Sequence, residues 1–433
     1  MGKKLTLEEK INKRVMKLHQ PPTLGYWFYH LVFKYFIIPK YGTKVKIIDD
    51  IKKCDGPAFL VFNHLSRIDH GFVNLACYPR KFNMVAGANE FYRSHLAWPF
   101  AVQQIIPKKN FSQDFTSFRG IKRIIDQGGV VAFAPEGTSS LFGHNQPVVA
   151  GTGHMFKHYG IPVYFLNIKG AYCVQHKCDN NERVGPIECE LKLLFSKEDL
   201  KKMSGDELNA KLDEAFKHDD YEYAQKNHFK YNSKGKICNH LDDFLYKCPK
   251  CGTEFEIDAY DDVVECKHCG NGGHMNDYYE WLPFNDECKL FESPSKWLDW
   301  ERSCVIKEIR ADENYFYEEK VRLGNLDKYK TIKKKKLTNP CGEGTIRLDH
   351  DGFHFKGFKE GKDFEIYLDW ATLYTVAIET DLTSFQLYYK GDMYEFTPLE
   401  RKSVGKIILI VEEMHRLHFN TWKNFPWCEE MYK

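Results

Sequence analysis

The sequence predicts an α/β domain with a mostly parallel sheet, followed by a small cysteine-held module and an all-β module closed by a helix. Three observations predict it. Between about residues 45 and 217, short and continuously apolar runs such as 58–62 and 130–134 alternate with segments of helical spacing. Residues 248–281 differ in composition and carry two Cys-x2-Cys pairs. Beyond Trp297 the apolar period shortens to two before a final helical stripe.

Length and charge bound what such a chain can do. At 433 residues the prior is about three domains. Hydrophobic residues make up 43%, enough for real cores, and the Gly and Pro content is too ordinary for a collagen-like or wholly disordered chain. With 62 Lys+Arg against 60 Asp+Glu the net charge is +2, which excludes a globally basic nucleic-acid binder but leaves local patches open. No apolar run approaches the length of a membrane-spanning helix. Fourteen cysteines are too few for a disulfide scaffold of this size, and the charged opening lacks a signal peptide's apolar core. Reduced cysteines and a cytoplasmic location are therefore expected. Gly2 falls in a loose myristoylation pattern.

Residues 1–40 read as N-terminal helices that face a membrane or dock on the protein. Thr6-Leu7-Glu8-Glu9 is a capping box. Leu7, Ile11, Val15 and Leu18 form an apolar stripe opposite Lys10, Lys13, Arg14 and Lys17. Residues 26–39 are strongly aromatic, and either lie at a membrane interface or pack on the next domain. The α/β domain is assigned to 41–235. It includes a helix over 114–126 with Phe115, Phe118, Ile121, Ile124 and Ile125 on one side, a strand over 163–168 and a helix over 204–217. The polar stretch 226–239 reads as a linker. The cysteine module is assigned to 244–284 and the all-β module to 297–424. Strands are expected at 304–310, 315–323, 344–348, 353–358, 364–370, 384–389 and 393–396, with a tight turn at Asp351-Gly352. Val404, Ile407, Ile408, Val411, Met414 and Leu417 mark one face of the closing helix.

The chemistry concentrates in two places. In Asn63-His64-Leu65-Ser66-Arg67-Ile68-Asp69, directly after a buried strand, Ser66 reads as a helix N-cap with Asp69 in the first turn. The chain reverses there, so the Asp69 carboxylate can reach the His64 ring, fix its tautomer and leave the other nitrogen free to accept a proton. Taken alone, the pair fits plain capping by Asp69 beside a surface His64 better than a catalytic role. The second place is Pro135-Glu136-Gly137-Thr138, where another buried strand ends at the edge at which α/β proteins bind ligands.

Together these segments resemble the glycerolipid acyltransferase family, the 1-acyl-glycerol-3-phosphate acyltransferases and their relatives. Asn63-His64-x4-Asp69 is similar to the family's first block, 133–139 (FAPEGTS) to its Phe-Pro-Glu-Gly-Thr-Arg block, and Gly160-Ile161-Pro162-Val163 to its fourth. The resemblance covers about residues 40–220. It implies that His64 is the general base, oriented by Asp69, taking the proton of an acceptor hydroxyl that attacks an acyl thioester. The donor would be acyl-CoA or acyl carrier protein, and the acceptor a lysophospholipid, foremost 1-acyl-glycerol-3-phosphate. Glu136, Gly137 and Thr138 would help hold the acceptor. Lys108 stands where the family's second block has Arg, with Arg93 as a less well spaced alternative, and Ser139 replaces the third block's Arg. A Lys is a point charge and cannot clamp phosphate bidentately. Lys109 or Arg119 would then have to supply the grip, or the acceptor is a different hydroxyl. The lost Arg at 139 also admits a catalytically inactive adaptor bound to membranes through its other modules.

Cys248-x2-Cys251-Gly252 and Cys266-x2-Cys269-Gly270 are two knuckles whose four thiolates suit a closed, structural Zn2+ site. The segment resembles a zinc ribbon. Its acidic stretch, with Glu254, Glu256, Asp258, Asp261, Asp262 and Glu265, argues against a nucleic-acid partner. The final module resembles a pleckstrin-homology-like (PH-like) barrel capped by its helix. Lys328, Lys330 and Lys333 to Lys336 form a basic run beside it, either a solvated flank or a contact for anionic lipid head groups. The expected partners are membrane lipids at the cytoplasmic surface, reached peripherally, and acyl carrier protein if that is the donor.

Overall fold

The computed structural model describes residues 4–112, 114–176, 179, 181–333, 336–379 and 382–419. Gly2, Lys334 and Lys335 lie outside them.

Seven strands form the first sheet: β1 (Lys44–Ile47), β2 (Ala58–Phe62), β3 (Phe82–Gly87), β4 (Ile106–Lys108), β5 (Val130–Phe133), β6 (Val163–Lys169) and β7 (Glu188–Phe195). Their order is β1-β7-β6-β2-β5-β3-β4, and every neighbouring pair is parallel except β6 with β7. All five residues of β2 are buried, as its unbroken apolar run requires of a strand covered on both faces. One face carries a core of Phe59, Ile121, Val131 and Phe156. The other opens into a longer core that continues without a break through the cysteine module into the last module.

Helix Leu7–Val15 starts with the expected capping box at Thr6 and Glu9 and buries Val15 in the smaller core, joined there by Leu18 just beyond its end. Its apolar stripe docks on the protein. Helix Thr23–Val32 and the π turn Phe33–Ile37 divide between the two expected settings: Tyr26, His30 and Phe33 are buried, whereas Leu24, Trp27, Phe28, Tyr35 and Phe36 are exposed.

Two expectations need correction. Residues 226–239 are not a solvated linker. Tyr231, Ile237 and Cys238 are buried, and the Tyr231 N–H donates to the Asp277 carbonyl at 2.8 Å. Residues 304–310 are not a strand but the second half of helix Pro294–Ala311, capped by Ser293 with Pro294 in its first turn. Leu298, Val305 and Ile309 lie on its buried side.

The cysteine module is a four-stranded antiparallel sheet in the order β11-β10-β9-β8, from β8 (Ile257–Tyr260), β9 (Val263–Cys266), β10 (Gly272–Met275) and β11 (Trp281–Pro283). The last module has β12 (Phe316–Asn325), β13 (Asn339–Asp349), β14 (Phe353–Lys359), β15 (Lys362–Leu368), β16 (Ala377–Ile378), β17 (Phe385–Tyr389) and β18 (Asp392–Pro398), all antiparallel in the order β15-β14-β13-β12-β18-β17-β16. Helix Val404–Phe419 is buried on every side from Val404 to Arg416 rather than on one face. Buried Arg302 of helix Pro294–Ala311 pairs with Glu412 at 2.7 Å and Glu413 at 2.8 Å, which ties the two helices together.

Candidate active site and cysteine cluster

β2 and β5 are parallel neighbours with Val61 opposite Phe133, so both chains leave the sheet at one edge. Asn63 ends β2 by bonding the Ile168 backbone on β6 through both side-chain atoms, each at 2.7 Å. His64 emerges next. Its Nδ1 lies 2.8 Å from Oδ2 of Asp69, which also accepts the N–H groups of Leu65 (2.8 Å) and Ser66 (2.9 Å). The Ser66 hydroxyl donates to the other Asp69 oxygen at 2.6 Å. The helix therefore starts at Asp69 with Ile68 as N-cap, not at Ser66, and Ser66 instead braces the carboxylate. Asp69 is 1% exposed, and its two oxygens accept from Leu65, Ser66 and the Ser66 hydroxyl. A carboxylate needs Nδ1 to be the donor, which leaves Nε2 of His64 as an acceptor.

The loop after β5 holds the same histidine from below. Glu136, buried, accepts the His64 backbone N–H at 2.9 Å through one oxygen and the Gln146 N–H at 2.8 Å through the other. Burial pushes its carboxyl up to about 8, against those two bonds. The Ser140 N–H donates to the His64 carbonyl at 2.6 Å. Both Glu136 oxygens are spent on backbone, so Glu136 positions His64 and does not reach out to an acceptor as expected. Gly137 has φ +74°, and a Cβ there would meet the Phe111 ring at 3.0 Å. Thr138 and Ser139 are half-buried beside it.

Lys108 ends β4, parallel to β3 and on the same sheet edge, with Gly87 opposite. It is half-buried, and desolvation lowers its pKa against the pull of Asp114. Arg119 is exposed on helix Phe115–Asp126, whereas two other candidate cations are engaged elsewhere. Arg93 pairs with Glu90 at 2.8 Å and with Glu379 of the last module at 3.3 Å, so it serves the interface between modules rather than an acceptor. Lys109 is taken by Glu8 at 2.7 Å and the Gly391 carbonyl at 2.9 Å. Asn63, Ser140, Gln146 and Phe111 went unassigned in the sequence. Only Asn63, adjoining His64 at a strand end, carried a local signal.

In the cysteine module, the sulfurs of Cys248, Cys251, Cys266 and Cys269 all lie within 4.8 Å of one another. The Cys248–Cys269 and Cys251–Cys266 distances are 3.7 and 3.8 Å. Four ligands about 2.3 Å from one tetrahedral ion would stand about 3.8 Å apart, so the cluster fits Zn2+. The two knuckles repeat one backbone pattern. Gly252 N–H donates to the Cys248 carbonyl at 2.9 Å, and Gly270 N–H to the Cys266 carbonyl at 2.8 Å. Both glycines have positive φ, 75° and 69°.

Residues 42–169 match the family model described as Acyltransferase. Residues 242–271 match the zinc-ribbon model described as DNA directed RNA polymerase, 7 kDa subunit. Over 149 residues the chain is 23% identical to the chloroplastic 1-acyl-sn-glycerol-3-phosphate acyltransferase BAT2 of Brassica napus, covering 33% of this chain and 43% of that protein. It thus spans less than half the length of this curated relative. A solved structure, the 1-acyl-sn-glycerophosphate acyltransferase PlsC from Thermotoga maritima, aligns at 18% identity and a TM-score of 0.35 over 48% of this chain and 79% of that one.

Proposed function

We propose that the protein transfers a fatty acyl group from a thioester, acyl-CoA or acyl carrier protein, to a lysophospholipid hydroxyl, foremost that of 1-acyl-glycerol-3-phosphate. The observation that carries this reading is the His64–Asp69 pair, with Nδ1 tied to a buried carboxylate and Nε2 left to take a proton. Nε2 removes the hydroxyl proton as the oxygen attacks the thioester carbonyl. The carbon–sulfur bond then breaks, and the thiolate leaves and is protonated. Lys108 at the same sheet edge supplies positive charge for an acceptor phosphate, and Gly137 and Thr138 line its approach.

The lipid is reached from the surface. Among the described residues no helix is long and apolar enough to cross a membrane. The exposed Trp27, Phe28, Tyr35 and Phe36 sit on the segment whose buried side packs the helix carrying Asp69: His30 Nδ1 is 2.9 Å from the Asn74 amide oxygen, and the Phe33 ring fills the space beside Gly71. An aromatic face in that position suits a cytoplasmic membrane surface beside the site. The cysteine cluster holds a structural Zn2+, and with four protein ligands leaves no open position for catalysis. The seven-strand antiparallel order and the closing helix support a PH-like barrel, with Lys328, Lys330 and Lys333 as its contact for anionic lipid. Thiol release from acyl-CoA and acyl carrier protein, against a panel of lysolipids, tests the reading. Release that depends on an added lysolipid is expected. No release with any pair would favour the inactive adaptor.

A further inference from the structure

A cavity of about 570 Å3 lies between the loop after β4 and the last module. That volume is in the range of small-ligand sites, roughly 300–1,000 Å3. Its walls are mainly apolar, with Phe111 on the acyltransferase side and Leu373, Tyr374, Leu387 and Met393 opposite. Two of its polar groups are already engaged by protein, and the exposed Lys390 lies over the Tyr389 ring. Gln386 donates to Glu379 at 2.6 Å and accepts from Asn89 at 3.2 Å, and Lys109 is held by Glu8 and Gly391. A ligand there gains from burying carbon against these mainly apolar walls.

Phe111 links this cavity to the candidate active site. Its backbone φ is +54°, a costly conformation for a bulky residue. That conformation sets the ring edge-on to Tyr374 at 5.5 Å, and 3.0 Å from the place of a Cβ on Gly137. Gly137 adjoins Glu136, which holds His64. One aromatic ring therefore separates the cavity from the loop that supports the base.

We propose that this cavity binds the aliphatic chain of a lipid substrate, with Phe111 at its threshold and the last module as its outer wall. The inference rests on the acyl-transfer reading for its choice of ligand. The chain belongs either to the acyl donor or to the acceptor, and the two arms of the test separate them.

The test is photolabelling of the full-length protein with two unreactive probes, each with a diazirine at the end of a hexadecyl chain. One is the S-alkyl thioether of coenzyme A, the other the ether analogue of 1-acyl-glycerol-3-phosphate. One probe is expected to label residues within 109–112 or 368–393. Ala377→Trp, which fills the cavity from β16, should cut that labelling by at least about tenfold. Labelling by both probes only outside these segments overturns the proposal, as does labelling there that Ala377→Trp leaves unchanged in folded protein. Should that variant not fold, the labelled positions in the unaltered protein decide. Labelling needs no turnover. Labelling of the cavity without thiol release would therefore sink the enzyme reading and leave the chain site standing.

Discussion

Glu136 stands under His64: its carboxyl oxygen accepts the His64 backbone N–H at 2.9 Å while the residue is 2% exposed. This joins the two sequence motifs physically, since the second motif holds up the backbone of the first.

The relationship makes stability depend on pH. Burial raises the Glu136 carboxyl to about 8, whereas in the unfolded chain it titrates near about 4.3. Between those values the folded protein holds a proton that the unfolded chain has released. The contribution is complete at low pH and is lost as pH rises through about 8. Glu136→Gln should flatten the fall in melting temperature between about pH 5 and 8.5 relative to the wild type. Parallel slopes in thermal scans of the two proteins would contradict this.

Asp69→Asn tests the orientation of the imidazole. The amide can offer Nδ1 a donor, which turns the ring to the wrong tautomer and occupies Nε2 with a proton. Turnover should fall nearly as far as on loss of His64, by on the order of 10²-fold, with substrate KM little changed. Steady-state kinetics of the variant checks it, and unchanged kcat would contradict it.

The cysteine cluster should carry one zinc ion per chain, measured by elemental analysis of protein purified without chelators. Cys266→Ser should abolish the zinc and lower the melting temperature, because so small a module takes much of its folding free energy from the metal. Unchanged stability on complete removal of the metal would contradict a structural role.

Arg302 bridges Glu412 and Glu413 inside the protein. Arg302→Met leaves Glu413 to Arg416, 3.3 Å away, and takes the Arg302 guanidinium from Glu412, and should cost about 3–5 kcal/mol in chemical denaturation. Because Arg416 still pairs with Glu413 at 3.3 Å, Glu412→Gln alone restores neutrality and should recover part of the loss. A cost under about 1 kcal/mol for the single change would show the pair to be solvated.

The parallel sheet was legible because β2 and β5 are buried on both faces and read as unbroken apolar runs. His64 and Asp69 were legible because five residues of sequence place them on one strand-to-helix turn. Glu136 was legible as a position and not as a role. Its partners, His64 and Gln146, are set by the pairing of β2 with β5, and no local pattern encodes that. Arg93 was misplaced for the same reason: its partner Glu379 lies 286 residues along the chain. The strand expected at 304–310 is helix because Ser293 caps and Pro294 opens a helix that continues through Val305, Ile306 and Ile309, a start that lies upstream of the period-two run. Segment 226–239 failed because polarity was equated with exposure, whereas Tyr231 and Cys238 are buried against later modules.

The central claim is that His64 is the base of an acyl transfer. Its most direct test is the rate of thiol release by purified His64→Ala, compared with wild type on the lysolipid that wild type uses, with zinc content and melting temperature matched. Release should fall by at least about 10²-fold while the fold is retained. An unchanged rate in folded His64→Ala protein would contradict the account.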